Sequence, residues 1–160
     1  MGSRVTAILL VALPVAPAPF HDAQVPTLRA AVWSGVTCVC LAVNAGTLPS
    51  PVTKVSHLES TRSRPDPPAA LLELLGHSAP AYVPASQCTR TEMEWDVING
   101  VSGKPALLVV VGQVEQVTAS HVRVVVLTTS GFMSDTHTLF DVEKVNGVWK
   151  VTSSTIILQA

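Results

Sequence analysis

The chain has 160 residues, with 10 Lys plus Arg against 11 Asp plus Glu, a net charge of −1, and only 13% charged residues. That length accommodates one domain with a sizeable core and is short for two, and the lack of a basic excess argues against nucleic acid as a partner, because neutralised phosphates supply most of such affinity. Mean hydropathy is +0.42, yet beyond the N-terminal run no stretch reaches the roughly 18 apolar residues of a spanning helix, so no stable membrane span is expected once that run is removed.

The N-terminus reads as an export signal. Met1-Gly2-Ser3-Arg4 is a short positive segment, Val5 to Val15 is apolar, and Ala16-Pro17-Ala18-Pro19 begins a small-residue exit. Proline after Ala16 or Ala18 disfavours cleavage there, which leaves the Ala23-Gln24 bond as the expected cut. Residues 1–23 would then be a signal peptide and 24–160 one exported domain, periplasmic or extracellular; an uncleaved anchor is the alternative. The three cysteines, Cys38, Cys40 and Cys88, fit an oxidising compartment. Cys38 and Cys40 point the same way on a strand and compete for one partner. Cys40–Cys88 is the first expectation and Cys38–Cys88 the second. A Cys-x-Cys metal site lacks a second pair or a spaced His pair, and neither a metal nor a cofactor is expected.

In chain order, Pro26 at a first helical position and Gly35 at a stop enclose a short helix over Thr27 to Trp33, with Leu28, Ala31 and Val32 on one face. Val36 to Val43 is an almost wholly apolar, β-branched run, the pattern of a strand buried on both faces or central in a sheet. Residues 44–65, with four Gly or Pro and a basic pair at Arg62 and Arg64, form a long surface loop. Asp66-Pro67-Pro68 opens a second helix with Asp66 as N-cap; Leu71, Leu72 and Leu75 form its stripe and Gly76 its stop. Ala81-Tyr82-Val83-Pro84 is Pro-interrupted and suits an edge strand only. Beyond Lys104 the chain is all strand. Ala106, Leu108, Val110 and Val114 share a side, Gly112 marks a bulge, and Val122, Val124 and Val126 lie opposite His121, Arg123, Val125 and Leu127.

Chemistry-bearing residues are few. Phe132 beside Gly131 suits the lip of a pocket, and Asp135 and His137 suit an oriented acid–imidazole pair, so Phe132, Asp135 and His137 are the candidate ligand-binding residues. No nucleophile or second His stands at a matching spacing, so no catalytic residue is assigned.

The last segment, Phe140-Asp141-Val142-Glu143-Lys144-Val145-Asn146-Gly147-Val148-Trp149-Lys150-Val151, reads as a β-hairpin around a type I′ Asn-Gly turn. Val145 then opposes Val148, Val142 opposes Val151 and Phe140 opposes Ser153. Phe140, Val142, Trp149 and Val151 share the core face.

This run resembles the terminal hairpin of the nuclear-transport-factor-2-like superfamily, a cystatin-like α+β fold. The resemblance covers about the last third of the chain plus a rough element order, and no counterpart of that superfamily's pocket Asp or His residues is found. It implies an α+β domain with a curved antiparallel sheet of four to six strands packed on two short helices, and a pocket. The function expected is that of an exported, non-catalytic binding or accessory domain, pairing with a second copy through its sheet if it self-associates. The alternative is a small pocket enzyme of the cyclase or isomerase kind using Asp135, His137 or His121, which requires at least two of them in one apolar cavity.

Overall fold

The computed structural model describes residues 21–43, 65–90, 97–129 and 135–159. They form an α+β unit: α1 (His21–Ala31), β1 (Cys38–Val43), α2 (Ala69–Leu75), β2 (Ala81–Pro84), β3 (Cys88–Arg90), β4 (Val97–Asn99), β5 (Leu107–Thr118), β6 (His121–Thr129), β7 (Asp135–Val145) and β8 (Val148–Gln159). Six strands make one sheet in the order β2-β1-β5-β6-β7-β8, and β3 pairs with β4 in a small separate ribbon. The expected antiparallel ladder runs from β5 through β8, while β1 lies parallel to both β2 and β5. The parallel strand carries the near-continuous apolar run expected of one covered on both faces, and Cys38 to Ala42 are all buried.

One sheet face packs on the helices. Val39 and Leu41 of β1, Leu107, Val109 and Val111 of β5, Val122, Val124 and Val126 of β6, and Phe140 and Val142 of β7 meet Ala23 and Leu28 of α1 and Leu71 and Leu75 of α2. On the opposite face, Cys40, Ala42, Leu108 and Val110 pack under Ala85 and Val97. The Cys40–Cys88 disulfide, 48 residues apart in sequence, ties β3 to β1 on that side. Register explains why Cys40 is the cysteine used. Parallel pairing sets Val83 beside Cys40 and Pro84 beside Leu41, so the short 3-10 turn Ala85–Gln87 delivers Cys88 to that end of β1.

Gly112 marks the bulge expected of it. The β5–β6 register shifts between Val111 and Val114, and a Cβ on Gly112 would stand 2.9 Å from the Val125 carbonyl oxygen. The extra residue changes the parity of the strand. Ala106, Leu108 and Val110 therefore face away from the helices, as a set, while Val114, expected with them, packs with the helix-side core. The bulge also docks α1. The buried Gln24 side chain donates from Nε2 to the Gly112 carbonyl at 3.1 Å, and His21 Nδ1 holds the Gln24 Oε1 at 3.0 Å.

Three local expectations change. Pro26 lies inside α1 rather than opening it; burial of Ala23, Gln24, Thr27 and Leu28 along one face outweighs the hydrogen bond a proline cannot make. The Ala23-Gln24 bond, expected as a cleavage point, is within the same helix. Asp66 does not cap α2, whose N-cap is Pro68. Its carboxylate instead accepts hydrogen bonds from the Ser86 backbone N–H at 3.0 Å and the Ser86 hydroxyl at 2.5 Å, pinning the turn that leads to Cys88. In the terminal hairpin, Asn146 and Gly147 take positive φ and Val145 to Val142 pair as expected. A bulge at Thr152 then sets Ser153 opposite Asp141 and Ser154 opposite Phe140. The export segment before His21 and the loop over 44–64 lie outside the described residues.

Candidate functional site

Two open clefts flank α1, and Arg29 lines both. The first, about 410 Å³, is bounded by Val32, Trp33, Val36, Leu75, Pro80 and Tyr82. The chain builds it simply. Helix α1 ends at Ala31, the Gly35 turn at φ 97° reverses the backbone, and β1 returns beneath the helix, leaving Trp33 on the lip with 51% of its surface exposed. The parallel pairing of β2 with β1 places Tyr82 opposite Val39, where its hydroxyl donates to the Leu28 carbonyl at 3.4 Å. Burial pushes the Tyr82 phenol above its ordinary pKa, with the Arg29 cation pulling the other way, so the hydroxyl stays protonated and a donor at neutral pH. Arg29 is exposed and, among the described residues, has no carboxylate partner. The second cleft, about 420 Å³, lies between α1 and the hairpin turn, lined by Asp22, Val25, Pro26, Val148 and Trp149. Trp149 there carries Lys144 over its ring, with Nζ 5.5 Å from the centroid.

The first cleft offers two aromatic rings, an aliphatic floor, one guanidinium and the hydroxyls of Ser34 and Ser78, a lining suited to binding an amphipathic molecule; no imidazole or carboxylate is among its lining residues. Nothing in local pattern marks Arg29, Trp33 and Tyr82 as a group; the one signal in sequence is a tryptophan beyond the apolar stripe of a short helix.

The residues singled out by sequence lie elsewhere. Phe132 is outside the described residues. Asp135 and His137 sit at the start of β7, opposite Thr129 and Leu127, and the Thr129 hydroxyl, itself buried, donates to Asp135 Oδ1 at 2.7 Å. His121 pairs with Glu143 at the other end of the same ladder. All three share the sheet face turned away from the helices, and His121 is roughly 20 Å from His137 at about 3.3 Å per residue. One cavity therefore does not hold His121 with the other two.

His121 belongs instead to an outer-face cluster centred on Asp141. His121 Nε2 and Arg123 Nε donate to Asp141 Oδ1 at 2.7 and 3.1 Å, and Ser153 Oγ donates to Oδ2 at 2.9 Å. The bonds from His121, Ser153 and Arg123 hold the carboxyl below the usual carboxylate range. The carboxylate stands between imidazole and hydroxyl, whereas activation of a serine requires the imidazole in the middle. This cluster clamps β6, β7 and β8 together. Among the described residues, no group of three or more His, Cys, Asp or Glu side chains converges on a metal-sized space, and no helix is long and apolar enough to cross a membrane.

No known protein family, curated protein or solved structure matches this chain.

Proposed function

We propose that the chain is an exported, non-catalytic binding or accessory domain, and that the cleft at the end of α1 holds a small amphipathic ligand with an apolar body and one negative group. The carrying observation is that the half-exposed Trp33, Tyr82 and an aliphatic floor line one cleft with Arg29, which among the described residues has no carboxylate partner. Export is supported by the Cys40–Cys88 bridge, which persists in oxidising compartments. Kinship with the nuclear-transport-factor-2-like superfamily is supported by helices covering one face of the sheet and by the terminal hairpin. Against the pocket-enzyme alternative stands the separation of His121 from Asp135 and His137, which lie at opposite ends of the β6–β7 ladder.

Decanoate is a suitable probe. Titration followed by tryptophan fluorescence is expected to saturate, to weaken about tenfold or more in Arg29→Gln through loss of the charged contact, and to lose most of its signal in Trp33→Phe; decanol should bind less tightly than decanoate. No saturation, or equal affinity of wild type and Arg29→Gln, would sink the reading.

Of the two edge strands of the six-stranded sheet, β2 and β8, the longer is β8, and its outer edge is a surface for self-association. Among the described residues this edge has no partner strand. Thr152 to Gln159 carries no charge, and Ile156, Ile157 and Leu158 are about half exposed, without the lysine or proline that usually blunts an edge. The uncharged run accepts an identical strand without repulsion, so the occupant proposed is a second copy, paired edge to edge about a two-fold axis. Light scattering at about 100 µM should give a dimer for the wild type and a monomer for Ile157→Lys, where two like charges would meet; a monomeric wild type contradicts the proposal.

A further inference from the structure

One cysteine stands outside the disulfide, and its position gives it a role. Cys38 is buried on β1, two residues from Cys40 and on the same face. Asn99 stands directly opposite Cys88 in the β3–β4 ribbon, where paired Cα atoms are about 5 Å apart, and the Asn99 side-chain amide donates to Cys38 Sγ at 3.4 Å. The residue facing Cys88 therefore also holds the free thiol, and the three cysteines gather where β3 and β4 cover β1. The amide N–H holds the Cys38 sulfur toward the ribbon that carries Cys88, and exchange runs through the thiolate, the form that attacks disulfides.

We infer that Cys38 is an internal exchange partner, able to take Cys88 from Cys40. The Cys38 thiolate attacks Cys88 Sγ, the Cys38–Cys88 bond forms as the Cys40–Cys88 bond breaks, and Cys40 leaves as a thiolate that takes up the proton given up by Cys38. The exchange is an isomerisation, so no outside oxidant or reductant is consumed. Its consequence is protective. An external thiol that opens the bridge at Cys88 meets a second internal cysteine ready to displace it, and either bridge keeps β3 on β1.

Peptide mapping after acid quench and alkylation tests this. Oxidatively refolded Cys40→Ala should contain a Cys38–Cys88 bridge, remain free of intermolecular disulfides, and melt well above Cys88→Ala. Wild type held with a trace of reduced glutathione should yield a population with Cys40 alkylated and Cys38 protected, a readout independent of how well any variant folds. Asn99→Leu, which removes the amide, should slow appearance of that population severalfold. Alkylation of Cys38 alone in wild type, together with free Cys38 and Cys88 in Cys40→Ala, would overturn the inference.

Discussion

Cys88→Ala is expected to lower the unfolding free energy by about 4 kcal/mol. The Cys40–Cys88 bridge spans 48 residues, and on the chain-entropy account a closed loop of that size removes about 4 kcal/mol of conformational freedom from the unfolded state. Against a typical domain stability of about 5–15 kcal/mol, that is a large fraction. The native state loses as well. β3 has three residues, pairs among the described residues only with the three-residue β4, and is tied to the sheet by Cys88 and by the packing of Ala85 and Val97 on Cys40, Leu108 and Val110. Urea denaturation by circular dichroism under non-reducing conditions measures the difference. A loss under about 1 kcal/mol would mean that the ribbon is held mainly by packing. Cys88 is the residue to replace, because Cys40→Ala leaves the Cys38–Cys88 route open.

Leu28→Ala should cost about 2–5 kcal/mol, the range for a leucine removed from a close-packed interior. Leu28 is wholly buried and stands in the same core cluster as Val39, Leu41, Val109 and Val124, with α1 contacting β5, β6, β7 and β8. The helix is short, contains Pro26, and has little intrinsic stability of its own, so its place depends on this face. Leu74→Ala on α2 is the control: Leu74 is 46% exposed, and its truncation should change stability by no more than about 0.5 kcal/mol. Equal losses for the two variants would contradict the docking of α1 described above. Because Leu28 also supplies the carbonyl that Tyr82 reaches, a loosened α1 should weaken the cleft along with the core.

Elements whose code lies within a few neighbouring residues were legible. Asn146-Gly147 supplies two adjacent positive-φ positions, and alternation on both sides leaves one register that buries Val142 and exposes Lys150. The same alternation put His121 and Arg123 on the outer face of β6. Where a bulge intervenes, alternation misleads by one residue: Val114 changes sides after Gly112, and Ser153 meets Asp141 because Thr152 is the added residue. Side-chain hydrogen-bonding power was legible, but its use was not. Asp66 had the right neighbours to cap a helix and instead holds Ser86, 20 residues away.

The candidate site was the least legible feature, for a physical reason. Arg29 and Trp33 come from the end of one helix and Tyr82 from a strand about 50 residues later; their approach depends on β2 lying parallel to β1, a pairing that no local pattern encodes. The choice between Cys38 and Cys40 is of the same kind, since both sit on one face and only the path of the turn Ala85–Gln87 decides between them. By itself, then, the sequence determined the class of fold, the terminal hairpin, the interior place of β1 and the presence of one bridge to Cys88, because each follows from side-chain periodicity, turn stereochemistry or cysteine count. Tertiary structure alone decided the mixed sheet order, the cysteine that carries the bridge, the burial of Gln24 on Gly112, and the cleft beside Trp33. Those depend on contacts between segments far apart in the chain, whose mutual position is set by the summed packing of both sheet faces and by no single stretch of residues.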